Sequence, residues 1–215
     1  MPKVEEERTS DGSYNKIETY KIIMLGPANA GKTSLIRRYI YKKFNEDYQV
    51  TVGFDYMSKE LKIGKRKIKI ELWDTAGTEM FQSLSAGFFR NSYGALIVFD
   101  VIDRKSFQSL ETWVKYYREH KDENKEELIY LIGNKIDYGE RNISKDEVED
   151  FMINHNLNNY FETSAKNGDN VDKIFENIGK DIIKLYGNKK LKSSGRITLN
   201  KDFKDKTRNK KKCHC

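Results

Sequence analysis

The chain has 215 residues, 37% of them hydrophobic, and a mean hydropathy of −0.80, enough apolar material for one core with tails but not for two comfortable ones. No run reaches the ~18 to 20 apolar residues of a membrane span, and the opening MPKVEEERTSDG lacks a secretory signal's apolar stretch, so the expected compartment is the cytosol. Of the net +7, residues 187–215 hold +9 (eleven Lys/Arg against Asp202 and Asp205), leaving −2 elsewhere; both cysteines lie in that tail, which excludes a disulfide-stapled scaffold.

Residues 1–18 are polar, with Glu5, Glu6 and Glu7 in a row and no apolar periodicity, and are expected to be a disordered extension. Ordered chain is expected from near Tyr20. Three continuous apolar runs, Ile22–Leu25, Ala95–Phe99 and Leu128–Ile132, have the length and β-branched or aromatic content of strands buried on both faces. Helix-like stretches at 32–42, 105–120, 144–155 and 170–186 alternate with them, which implies βα crossovers and a mostly parallel sheet. In the last stretch Val171, Ile174, Phe175, Ile178, Ile182 and Leu185 recur at helical spacing, and Ser144 followed by Glu147 predicts a capping box. Segments 52–61 and 67–73 flank Ile63-Gly64-Lys65-Arg66 and alternate in polarity, so they predict a hairpin that adds one antiparallel strand. A further strand is expected near 159–163.

After the first apolar run comes Gly26-Pro27-Ala28-Asn29-Ala30-Gly31-Lys32-Thr33, the pattern G-x-x-x-x-G-K-[ST] between a strand and a helix. Successive backbone N–H groups in such a loop converge on phosphate oxygens at a helix start; Lys32 adds a point charge and the Thr33 hydroxyl a Mg²⁺ ligand. Pro27 cannot donate, and Asn29 stands where positive φ is wanted, which Asn tolerates. Trp73-Asp74-Thr75-Ala76-Gly77-Thr78-Glu79 follows the second hairpin strand. There Asp74 is placed to hold Mg²⁺ and Gly77 to turn a backbone N–H toward a terminal phosphate.

Gly133-Asn134-Lys135-Ile136-Asp137 ends the third apolar run, and Thr163-Ser164-Ala165-Lys166 ends the later strand, so all four motifs fall at carboxyl ends of strands, where open parallel sheets bind ligands. Guanine presents N1–H and N2–H₂ side by side. A carboxylate such as Asp137 accepts both, and the Ala165 N–H can serve O6, which selects GTP over ATP.

With these motifs in this order, the chain over residues 20–186 resembles the Ras-like small GTPases. Within them it looks most like the Rab branch, through Val52-Gly53-Phe54-Asp55-Tyr56, Lys69–Asp74, Ser83–Arg90, Leu96–Asp100, Tyr160–Ser164 and the terminal Cys213-His214-Cys215. The resemblance implies an α/β Ras-like P-loop GTPase fold: a mostly parallel six-stranded sheet with one antiparallel strand and helices on both faces. It implies a GTPase domain over 19–186, followed by a basic hypervariable tail at 187–215. It further implies GTP/GDP and Mg²⁺ as ligands, with Asn29, Ala30, Gly31, Lys32, Thr33, Ser34, Asn134, Lys135, Asp137, Ser164, Ala165 and Lys166 around the nucleotide. Phe44 would stack on the base, Tyr48 would close over the phosphates, and Thr51 would join Thr33 and Asp74 at Mg²⁺. Segments 43–55 and 74–91 would be the two switches. Lys32, Thr51, Gly77 and Thr78 would carry hydrolysis, with Thr78 standing where the family usually has the water-orienting glutamine, so a slow intrinsic rate is expected.

Tyr56, Trp73 and Phe88 resemble the aromatic triad through which Rab proteins meet effectors, and ordinary core packing is their competing role. Implied partners are effectors, an exchange factor, an activating protein, prenylation escort and dissociation-inhibitor proteins, and an anionic membrane, with no nucleic acid and a monomeric state. Lipidation of Cys213 and Cys215 would place the chain on the cytoplasmic face of an intracellular membrane, cycling with the cytosol. A metal site, a disulfide and a nucleic-acid arm are the tail's alternatives. Two other functions compete: a GTP-loaded binding module that scarcely hydrolyses because of Thr78, and a P-loop ATPase or nucleotide kinase, which Asn134 and Asp137 disfavour.

Overall fold

Along the central strand β2 (Tyr14–Leu25), Tyr20, Ile22 and Met24 face one side and Ile23 and Leu25 the other, and all five are completely buried. A strand with no polar face needs helices on both sides of its sheet. In the computed structural model, which describes residues 2–8, 14–45, 54–75 and 86–187, both sides are covered.

The other strands are β1 (Lys3–Arg8), β3 (Phe54–Ile63), β4 (Arg66–Thr75), β5 (Ser92–Asp100), β6 (Ile129–Asn134) and β7 (Asn159–Thr163). They lie in the order β3-β4-β2-β5-β6-β7, with β1 added to β2. The pairings β2–β4, β2–β5, β5–β6 and β6–β7 are parallel. β3 and β4 form the expected antiparallel hairpin, from Ile63↔Arg66 to Phe54↔Thr75.

On one face, α1 (Lys32–Tyr41) and α6 (Val171–Tyr186) bury Leu35, Ile36, Tyr39, Ile174, Phe175, Ile178 and Ile182 against β2, β4, β5 and β6. On the other lie α2 (Ala86–Phe89), α3 (Arg104–Gln108), α4 (Leu110–His120) and α5 (Lys145–Asn154), whose Phe89, Trp113, Val114, Tyr117 and Val148 cover Ile23, Leu25, Ile97, Phe99 and Leu131. The capping box on α5 is present: Ser144 Oγ accepts from the Glu147 N–H at 3.2 Å, and Glu147 Oε2 accepts from the Ser144 N–H at 3.0 Å.

Two expectations are corrected. Among the described residues the sheet has seven strands and two antiparallel pairings, because residues expected to be disordered within 1–18 form β1 and the first part of β2, paired from Lys3↔Thr19 to Arg8↔Tyr14. β1 is held by backbone ladder bonds and cross-strand charges rather than burial: Glu5 pairs with Lys69 at 3.1 Å and Glu6 with Lys16 at 3.7 Å. The acidic run therefore carries no apolar period to read. The stretch 105–120 is divided at Ser109, whose hydroxyl donates to the Ser106 carbonyl at 2.8 Å, giving α3 and α4.

Candidate nucleotide site

The loops that carry the four motifs follow the carboxyl ends of β2, β4, β6 and β7, strands that pair in parallel. After Leu25 the chain turns through Gly26 at φ 132°, where a Cβ would lie 2.0 Å from the Val98 carbonyl oxygen, so β5 leaves room for glycine alone. Asn29 takes φ 63°, the left-handed conformation its side chain tolerates. Gly31, at φ 92°, is the N-cap of α1 and supplies no side-chain cap. The helix therefore opens with its first N–H groups aimed into the loop, and no acidic residue occupies its first turn.

Lys32 is only 5% exposed, and its Nζ donates to the Gly26 and Pro27 carbonyls at 2.7 and 2.9 Å. Burial pulls its pKa down to about 8, while nearby Asp74 pulls it up. Asp74 ends β4 and is itself only 3% exposed. Its Oδ2 accepts from the Thr33 hydroxyl at 2.5 Å, and among the described residues its buried Oδ1 has no hydrogen-bond partner. Burial raises the Asp74 pKa, opposed by the Thr33 bond and by Lys32. A buried carboxylate with one oxygen orphaned beside a hydroxyl is a donor pair of the hard-oxygen kind that suits Mg²⁺. Among the described residues no group of three or more His, Cys, Asp or Glu could cage a metal. Ser34 follows in the first turn of α1, half-buried.

At the other end, the Asn134 side chain is a brace. Its Nδ2 donates to the Ala30 carbonyl at 2.9 Å, and its Oδ1 accepts from the Thr163 hydroxyl and the Ala165 N–H, both at 3.2 Å. A Cβ on Gly31 would lie 2.2 Å from that Nδ2, so the second loop glycine is fixed by this brace. Asp137 Oδ1 accepts from the Ser164 hydroxyl at 2.6 Å, which aims the carboxylate. Lys135, at φ 69°, pairs through Nζ with buried Asp100 at 2.6 Å. The Ala165 N–H, read from the sequence as a donor for a base oxygen, thus lies on the Asn134 amide through a long bond.

One residue the motifs did not include holds this end. Arg38 of α1 donates through Nε to the Ala165 carbonyl at 2.7 Å and through Nη2 to the Lys166 carbonyl. Its guanidinium carbon lies 5.9 Å from the ring centre of half-buried Phe44. No pattern marks Arg38, because its partners lie 127 and 128 residues away. Tyr48, Thr51, Gly77, Thr78, Cys213 and Cys215 lie outside the described residues, as do parts of both proposed switch segments.

Beside the site, Tyr56, Trp73 and Phe88 form one contiguous set, with Tyr56–Trp73 and Trp73–Phe88 centroids 5.8 and 5.5 Å apart. Phe88 is buried and Tyr56 is 57% exposed, so these rings combine packing with display. Phe54 extends the set, 59% exposed and stacked on Trp73 at 5.8 Å. Its position two residues before Tyr56 on one strand is the period-2 signal that could have revealed it. Lys21 supports the rings from beneath, its Nζ 3.7 Å from the Trp73 ring centre and donating to the Phe88 carbonyl.

Residues 21–184 match the model of the Ras family. The chain is 34% identical over 178 residues to bovine (Bos taurus) Ras-related protein Rab-13, covering 82% of this chain and 86% of that one. It is 39% identical over 168 residues to Ras-related protein RABG3a of Arabidopsis thaliana, covering 76% and 82%. It is 33% identical over 175 residues to GTP-binding protein ypt3 of Schizosaccharomyces pombe, covering 81% and 80%.

Proposed function

The chain belongs to the Ras family of small GTPases and is Rab-like, and on that premise we propose that it is a membrane-associated GTP/GDP switch that hydrolyses GTP slowly and recruits effectors in vesicle trafficking. The observation that carries the nucleotide reading is the Thr33–Asp74 pair, with its orphaned buried Oδ1, at the mouth of a loop whose lysine is already buried. Desolvated charge in that arrangement gains most from a ligand that brings both phosphate and a divalent cation. Mg²⁺, when bound, supplies charge neutralisation between the phosphates, and Thr33 and Asp74 are the described residues that would hold it, with Thr51 as a third.

In this reading the N–H groups from Asn29 to Ser34 and the Lys32 ammonium hold the phosphates. Asp137 accepts the guanine N1–H and N2–H₂, and Phe44 covers the base. Tyr48 closes over the phosphates, and the Gly77 N–H faces the terminal one. Thr78 has a hydroxyl but is shorter than glutamine, so it orients the attacking water poorly and the intrinsic rate is low. Phe54, Tyr56, Trp73 and Phe88 are the effector-facing rings. Exchange factor, activating protein, prenylation escort and dissociation inhibitor are the other partners.

Among the described residues no helix is long and apolar enough to cross a membrane. Attachment is assigned to lipid on Cys213 and Cys215, aided by the +9 tail at an anionic leaflet. This places the protein on the cytoplasmic face of an intracellular membrane, cycling with the cytosol. Changing both cysteines to serine should release the protein from membranes; retention of the double variant would refute the anchor.

The nucleotide released from protein purified under mild conditions tests the switch. Mostly GDP supports slow turnover, mostly GTP supports the alternative of a binding module disabled by Thr78, and displacement of labelled GTP by ATP at equal concentration would defeat both. Thr78→Gln should raise single-turnover hydrolysis, and an unchanged rate would show that Thr78 is not limiting.

A further inference from the structure

Arg38 leaves α1 on the side facing the base loop and directs its fork at three backbone carbonyls: Ala165 through Nε at 2.7 Å, Lys166 through Nη2, and Lys42 through Nη1 at 3.2 Å. Among the described residues its charge meets carbonyl dipoles and no carboxylate, which is an unusual use for a surface-reaching arginine. Two of those carbonyls flank consecutive peptide planes on either side of Lys166, and planar peptides make each fixed oxygen an orientation constraint on its neighbours. The third belongs to the C-cap of α1, a residue at φ 58° that starts the path to Phe44. The loop that receives this fork has local bonds, Gly168 N–H to the Ser164 carbonyl at 2.8 Å and Asn167 N–H to the Ser164 hydroxyl at 2.9 Å, and the Ser164 hydroxyl ties its start to Asp137 at 2.6 Å. Without Arg38, the long Asn134 bond to the Ala165 N–H is the described cross-link from elsewhere in the fold to that residue's backbone.

We propose that Arg38 is a positioning residue that sets how long a guanine nucleotide stays bound, by clamping the 165–166 backbone and the start of the Phe44 segment to the helix whose other end holds the phosphates. The inference rests on the guanine-nucleotide reading above. Arg38 acts through the backbone carbonyls it holds. It ties the base loop to a fixed helix, since α1, capped by Gly31, carries Arg38 nearly two turns after that cap. A base loop free of the clamp rearranges without disturbing Lys32 or Thr33, so loss of the arginine speeds release from the base end.

The test is dissociation of fluorescently labelled GDP from the full chain, chased with excess GDP, for wild type, Arg38→Met and Arg38→Lys, each with Mg²⁺ and with EDTA. Methionine keeps the apolar stem and removes the fork; lysine keeps the charge but can serve only one direction at a time, and it remains informative if the methionine variant folds poorly. The Met variant should release GDP about tenfold faster and the Lys variant about threefold faster, as expected for lost charge-assisted hydrogen bonds that act partly on the ligand. The acceleration by EDTA should be the same factor in all three chains, because independent sites contribute additively. Release within twofold of wild type in both variants would overturn the proposal. So would a shrunken EDTA factor, which marks a generally loosened fold. A wild-type chain that fails to retain labelled GDP would instead overturn the guanine-nucleotide reading itself.

Discussion

The two ends of the site are built on opposite principles. At the proposed phosphate end, polar groups are buried and left wanting: among the described residues Asp74 Oδ1 has no partner, Lys32 is desolvated against carbonyls, and α1 begins without a side-chain cap. At the base end, polar groups are buried and matched: Asn134 uses both amide atoms, Ser164 aims Asp137, Lys135 is paired with Asp100, and Arg38 holds the adjoining backbone. An under-satisfied end gains from a charged ligand, because binding relieves a desolvation cost already present in the free protein. A satisfied end would, in the proposed reading, discriminate, because its groups are too well held to adapt to the wrong base.

The largest effect that separates the ends is on the fold itself. Asn134→Ala leaves the Ala165 N–H and the Ala30 carbonyl without their partner and should lower the unfolding free energy of nucleotide-free protein by about 2–4 kcal/mol, read by urea denaturation. A loss below about 1 kcal/mol would mean the base end is not braced as described. Next in size is specificity. Asp137→Asn removes a charged acceptor of two base donors and should weaken GTP about a hundredfold while improving xanthosine triphosphate, whose C2 carbonyl suits an amide; equal GTP affinity in a competition assay would sink the assignment.

How much of this contrast was legible beforehand follows from which forces leave marks in a sequence. The loop between β2 and α1, and the placement of Asp74, Asn134 and Asp137 at or just after strand ends, were readable because the motifs set fixed residue types at short spacing. The buried strands were readable because alternating two-sided burial leaves a continuous apolar run. β1 was not, since ladder hydrogen bonds use backbone atoms that every residue possesses. Arg38 was not, since carbonyls carry no residue identity. The second task of Asn134, gripping Ala30 and Ala165, depends on a fold-level juxtaposition that its motif does not state.

A third expectation concerns pH. The Lys32 pKa falls from 10.5 to about 8 in the free protein, so between those values the folded chain binds fewer protons than the unfolded one and this group makes stability rise with pH. Phosphate oxygens restore the proton, so GDP binding takes one up above pH 8 and affinity should fall toward tenfold per unit there, flat below. The Lys32→Arg chain, with its charge fixed, gives the baseline that includes titration of guanine; identical slopes for the two chains by calorimetry would refute the assignment.

The smallest effect is the mirror of the first. Asp74→Asn removes a buried, under-satisfied charge, so the nucleotide-free fold should change by no more than about 1 kcal/mol while the dependence of GDP retention on Mg²⁺ is largely lost. A strongly destabilised Asp74→Asn chain would show that both ends are structural.

The hairpin of β1 with the start of β2 bears on how the chain is made. The partners of the central strand along the sheet come late: β4 meets Glu18 at Ile68, and β5 meets Ile22 at Gly94. At a translation speed of about 5–20 residues per second, those partners emerge from the ribosome some seconds after β2 does. β1 precedes β2 and is joined to it by a short connection, and hairpins close in microseconds, so Tyr14–Thr19 has a ladder partner as soon as it is free of the exit tunnel. The charged N-terminal strand thus gives the first piece of the sheet an occupied edge during synthesis, when an open one invites pairing with neighbouring nascent chains.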